Sequence, residues 1–196
     1  MEQEIINTQA KLSDHFTLGE MIKTKAKGLD NTPPHAAVIN LKNLCENWLE
    51  DLRYSYNMLY GVQTREGQKA VPTREGQAPL CSAGYAQDGA SPCVSAASPC
   101  VSEEPIIINS GYRSEAVNKA VGGEKESNHL TGCAVDIKCF GIEQAIRYAC
   151  ILLDIADGKK QEFDELLIER SPKGTYWIHF AARPSGNRRK TKFIQT

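Results

Sequence analysis

The 196 residues are enough for one well-cored domain and leave little room for a second. With 41% hydrophobic and 24% charged residues, the composition is that of an ordinary globular chain. A formal net charge of -1 gives no global pull toward nucleic acid or an anionic membrane, so neither partner is expected.

The start, Met1-Glu-Gln-Glu-Ile-Ile-Asn7, is acidic and lacks the basic and apolar regions of a secretory signal. No stretch approaches the ~20 apolar residues of a membrane span. The expectation is therefore a monomer made in the cytoplasm without a signal peptide. Thr17-Leu-Gly-Glu20 has capping-box spacing and predicts a short helix. Pro33-Pro34 then precedes a stronger helix over about 36–54, where Val38, Leu41, Cys45, Trp48, Leu49 and Leu52 form one apolar stripe.

The segment 57–104 differs in kind. Thr64-Arg-Glu-Gly-Gln68 recurs as Thr73-Arg-Glu-Gly-Gln77, and Ala90-Ser-Pro-Cys-Val-Ser95 recurs as Ala97-Ser-Pro-Cys-Val-Ser102. Gly, Pro, Ser and Ala dominate without apolar periodicity, which predicts a disordered insertion interrupting a single domain. A binding arm built on Cys81, Cys93 and Cys100 is disfavoured because no metal-ligand spacing is present. The seven cysteines are odd in number and contain no Cys-x-x-Cys pair, so they read as buried hydrophobes or free thiols.

Order is expected to resume at Pro105. Ile106-Ile-Ile-Asn109 reads as a strand, Ser110-Gly-Tyr-Arg-Ser114 as a turn, and Ser114 as the cap of a helix to about 121. A loop carrying His129 leads through Gly132 into a strand over 133–138. There Asp136 shares a face with Ala134, and Cys133 faces the other way. Gly141 opens a helix to about 156 with Ile142, Ala145, Ile146, Ala149, Leu152 and Leu153 as its buried face. Segments 163–169 and 175–181 read as antiparallel strands joined by a turn at Ser171-Pro-Lys-Gly174. From Arg183 to the end the chain is basic, with Arg183, Arg188, Arg189, Lys190 and Lys192 unopposed by any acid, and 183–196 reads as a solvated, frayed tail.

His129, Asp136 and His179 carry the most chemistry. Two imidazoles and a carboxylate suffice for a catalytic zinc, which leaves one position open. A carboxylate in an apolar strand also wants a metal or a cation as partner. Taken singly, each residue is read as well by a satisfied core histidine or a capping carboxylate. Resemblance decides between these. From 13 to about 187, leaving out the repeats, the chain resembles the zinc D-Ala-D-Ala carboxypeptidase and L-Ala-D-Glu endopeptidase family. That family shares its fold with the hedgehog signalling domain and the vancomycin-resistance dipeptidases. The likeness rests on Leu12-Ser-Asp-His-Phe-Thr-Leu-Gly-Glu-Met21, Ser110-Gly-Tyr-Arg-Ser114, Ala116-Val-Asn-Lys-Ala-Val-Gly-Gly123, Ser127-x-His129-x-x-Gly132-x-Ala134-x-Asp136 and Trp177-Ile-His179.

The resemblance implies an α+β fold, a small antiparallel sheet flanked by helices, with a zinc cleft on the sheet. It implies Zn2+ held by His129, Asp136 and His179, a peptidoglycan stem peptide as substrate, Arg113 on a substrate carboxylate or carbonyl, and Ser127 on substrate backbone. Many relatives place an acid three residues before the last histidine, where this chain has Tyr176. Glu169 matches the late-strand glutamate of other members and is the expected base, with Asp164 in reserve. A peptidase of this kind without a signal suggests a phage or prophage lysin reaching the wall at lysis. The rival reading is a non-catalytic binding module for wall peptides or a protein partner.

Overall fold

Alternation along three adjacent strands separates a core from a cleft. The computed structural model describes residues 7–61, 63–64, 100–101 and 104–195. Helix α1 (Leu18–Met21) opens on the expected capping box, Thr17 with Glu20. Next come α2 (His35–Leu44), a π-helical turn at Cys45–Leu49, and α3 (Glu50–Tyr60), one continuous helical rod longer than the sequence predicts. In the π turn the Glu50 amide donates to the Cys45 carbonyl, a one-residue insertion that apolar periodicity does not reveal. The predicted stripe is buried as expected, with Leu41, Cys45, Trp48, Leu49 and Leu52 fully enclosed.

Short strands β1 (Gln63–Thr64) and β2 (Cys100–Val101) pair antiparallel. Asn57, at the end of the rod, accepts from the Glu104 amide and donates to its carbonyl, at 2.9 and 3.2 Å. So the margins of the predicted insertion are helical or paired, and residues 65–99, which hold most of the repeats with Cys81 and Cys93, lie outside the described residues. Then follow β3 (Ile108–Ser110), α4 (Glu115–Ala120) capped by Ser114, a 3-10 helix at Asn128–Thr131, β4 (Ala134–Cys139), α5 (Ile142–Lys159), β5 (Glu165–Arg170), β6 (Tyr176–Ala181) and β7 (Lys190–Gln195).

The five-stranded sheet has the order β3-β4-β6-β5-β7. Pairs β3–β4, β4–β6 and β5–β6 are antiparallel, but β5 and β7 run parallel. The fold is α+β with a mixed sheet, which corrects the expectation of a purely antiparallel one. The frayed-tail reading of 183–196 is corrected too: residues 190–195 form the edge strand, and their backbone pairing with β5 is indifferent to the polar side chains that suggested a tail. Among the described residues no helix is long and apolar enough to cross a membrane.

On the back of the sheet Val135, Ile137, Leu166, Ile178 and Phe180 are fully buried. Trp48 of the rod packs on Phe180 and Phe163 with ring centroids 4.8 and 6.4 Å apart, and Tyr56 meets Tyr148 of α5 at 4.8 Å. Helix α5 is rotated from the predicted phase. Ala145, Tyr148, Ala149, Leu152 and Ala156 face inward, while Ile142 and Ile146 are exposed. Tyr148 sets that phase, because its ring has a partner on α3 and Ile146 has none in the core. Cys45, Cys133 and Cys139 are buried free thiols and Cys150 is exposed.

Candidate metal centre

The front of the sheet is where the polar residues of these strands converge. Registers Asp136↔His179 and Leu167↔His179 set β4, β6 and β5 side by side, so residues of matching parity share this face. Glu165, Leu167 and Glu169 of β5 therefore lie in one row beside His179, and all line one cleft with Asp136 and His129. Gly132 brings His129 to that row. It adopts φ +72° between the 3-10 helix and β4, and a Cβ there would lie 2.5 Å from the Ala37 carbonyl oxygen.

Among the described residues, His129, Asp136 and His179 form a group that could hold a metal ion. Asp136 Oδ1 lies 3.2 Å from His129 Nε2 and 3.0 Å from His179 Nδ1, and the two nitrogens are 3.2 Å apart. A tetrahedral zinc with bonds of about 2.0–2.1 Å separates its donors by about 3.3–3.4 Å, so the triangle is sized for such an ion. All three residues are at least nine-tenths buried. Buried like this, Asp136 would resist ionisation, but the two histidines outweigh burial and hold its carboxyl far below the usual range. For His179, burial opposes the charge and hydrogen bonds to Asp136 and Glu165 outweigh it, raising the imidazole to about 9. Cys133 faces the Thr131 carbonyl at 3.9 Å and is not part of the group, as its strand parity suggested.

One turn supports two of the three residues. Gly111 offers its carbonyl to His129 Nδ1 at 2.5 Å. It is glycine because a Cβ there would meet the Met21 carbonyl oxygen at 2.4 Å. Two residues on, Arg113 ion-pairs with Asp136 Oδ2 and donates from Nε to Ser110 at 2.8 Å. Arg113 lines the cleft where a substrate residue was expected, and it also braces the carboxylate. Ser127 lines the cleft as well, and its hydroxyl accepts from the His129 amide at 3.3 Å, capping the 3-10 helix.

The two acids proposed from sequence part company. Glu169 lines the cleft; burial raises its carboxyl above the usual value, against the opposing pull of His179 and a hydrogen bond from the Trp177 indole. Asp164, the reserve base, is fully buried and saturated. Arg188 donates to it from Nε and Nη2 at 2.8 Å each, and Arg183 and Asn128 do so at 2.7 Å each. These partners hold it ionised below the usual range despite burial, and it lies outside the lining of the cleft, unlike the place a base was expected to take. That corrects its assignment.

Sequence reasoning missed Glu165. Its Oε2 lies 3.5 Å from His179 Nε2, and its Oε1 accepts from Lys190 at 2.7 Å. The His179 hydrogen bond, then Lys190, hold it well below the usual carboxylate range. Its parity with Glu169 was a usable signal, but the register that pairs His179 with Leu167, and so sets it diagonally across from Glu165, was not visible.

Residues 100–172 match the family model Peptidase M15. That segment is similar to the M15 peptidases. The match takes in Arg113, Ser127, His129, Asp136 and Glu169 and ends before His179. M15 peptidases are metal-dependent, and the His-Asp-His cluster is a group that could hold a metal ion. No curated protein matches the chain.

Proposed function

We propose that this chain hydrolyses an amide bond in peptidoglycan stem peptides, of the D-Ala-D-Ala or the L-Ala-D-Glu type, with zinc held by His129, Asp136 and His179. The observation that carries the reading is the convergence of three buried donor atoms on the floor of a cleft that Arg113, Ser127 and Glu169 also line. A zinc ion bound there supplies Lewis acidity, which makes water easier to deprotonate and the scissile carbonyl easier to attack.

Glu169 supplies the proton chemistry. Its raised carboxyl retains a proton more readily than an ordinary glutamate, which suits a group that must accept one and then give it away. It takes a proton from the attacking water as the carbon–oxygen bond forms. It then returns that proton to the departing amine nitrogen as the carbon–nitrogen bond breaks. Arg113 presents a guanidinium to a substrate carboxylate or carbonyl, and Ser127 offers a hydroxyl to substrate backbone. Trp177 and Leu167 give the cleft an apolar side beside these groups.

The test is zinc content measured beside turnover of purified peptidoglycan, for the native chain and Glu169→Ala. Zinc near one per chain, with cleavage by the native chain and none by the variant, is expected. Bound zinc without cleavage by the native chain would instead favour a binding module, the alternative that the fold allows.

A further inference from the structure

We infer that Glu165, anchored by Lys190 of the edge strand, is a positioning residue that fixes the ring tautomer of His179 for metal binding. The inference rests on the metal-centre reading and adds a residue to it. An imidazole can ligate only through a nitrogen bearing a lone pair, so its other nitrogen must carry the hydrogen. The acceptor of that hydrogen decides which nitrogen is which.

In His179 the two nitrogens have different surroundings. Nδ1 faces the donor triangle, 3.0 Å from Asp136 Oδ1 and 3.2 Å from His129 Nε2. Nε2 faces away from it, toward Glu165 Oε2 at 3.5 Å. A carboxylate there accepts Nε2–H and leaves the lone pair on Nδ1.

Glu165 is itself held. Oε1 accepts from Lys190 Nζ at 2.7 Å and from Arg188 Nη2 at 3.1 Å, and Asn128 Nδ2 reaches Oε2 at 3.3 Å. Its side chain is only 13% exposed. With both oxygens engaged, it is suited to orienting a neighbour and unsuited to collecting a proton from water. The two imidazoles are thus secured by different means. His129 relies on the backbone carbonyl of Gly111, which no side-chain substitution removes. His179 relies on a side chain two strands from the metal-facing carboxylate, with a lysine from the last strand behind it.

The native, zinc-loaded full chain gives a test that needs no variant. Long-range proton–nitrogen NMR should show His179 with hydrogen on Nε2 and the metal on Nδ1; the reverse assignment would overturn the inference. A second measurement uses Glu165→Ala and Glu165→Gln, checked for folding by circular dichroism. In chelator competition the alanine variant should bind zinc roughly 10- to 100-fold more weakly, with altered visible absorption of the cobalt-substituted protein. Glutamine keeps an acceptor oxygen and should recover part of the loss. Native affinity and an unchanged cobalt spectrum in Glu165→Ala would sink the role of Glu165 alone, provided His129→Ala abolishes zinc binding. Failure of the native chain to bind zinc, or zinc retained in His129→Ala, would remove the metal centre and this inference with it.

Discussion

Glu165 and Glu169 stand on the same face of the same strand, about 13 Å apart at a rise of about 3.3 Å per residue, yet they are different chemical groups. Opposite Glu165 the edge strand presents Lys190, and opposite Glu169 it presents Ile194. The first glutamate is held ionised among His179, Lys190, Arg188 and Asn128. The second lies against Trp177 with its carboxyl raised by burial. Residue type and strand parity make them equivalent; the neighbour across the sheet does not. Two carboxylates pushed in opposite directions are what the proposed division of labour requires, with Glu165 bracing and Glu169 moving protons.

The contrast can be broken most sharply at Glu169. Glu169→Gln should lower peptide turnover by about 10²- to 10⁴-fold while zinc content stays native. A variant that still cleaves at the native rate would move the base elsewhere. At the ion-paired end the expected loss is of stability. Asp164→Asn leaves Arg183 and Arg188 facing an amide and should cost about 2–3 kcal/mol, discounted because both arginines reach solvent. The folded carboxyl titrates below its ordinary 3.8, so its stabilisation is complete above that value and is lost as pH falls through the lower folded one. Thermal unfolding should therefore show a gap between native and Asp164→Asn proteins that is widest at neutral pH and narrows below about pH 4.

Two smaller effects would sharpen the comparison. Ile194→Lys gives Glu169 the kind of neighbour that Glu165 has. A nearby cation favours the carboxylate, so the acid limb of the activity profile should move down by about 0.5–1 pH unit. No movement would mean that Glu169 does not set that limb. Lys190→Met removes a partly exposed partner and should cost only about 0.2–1 kcal/mol in a denaturant titration.

The cluster of His129, Asp136 and His179 was legible through the resemblance of the segments that carry it; taken singly, each residue read equally well as a core histidine or a capping carboxylate. The capping residues Thr17 and Ser114 and the β5–β6 hairpin were legible because their causes lie within a few residues of chain. Glu165 was not, since its role exists only through His179 and Lys190, 14 and 25 positions away. Helix α5 was misphased for the same kind of reason: alternative apolar faces were available, and Tyr148 chose between them by meeting Tyr56 of another helix.

Strand β7 shows the limit most plainly. Lys190 to Gln195 has the composition of a tail, and a hairpin cannot produce its parallel pairing with β5. Ion pairs from Arg183 and Arg188 to the buried Asp164 draw the chain back across the sheet and set that register. By itself the sequence determined where the helices are capped and which strands form a hairpin, because those follow from side-chain chemistry and local geometry, and its resemblance to a family named the three residues that converge. Only the tertiary structure decided which carboxylate is held ionised and which is raised by burial, because a carboxyl group's behaviour is set by the charges and burial that distant segments bring to it.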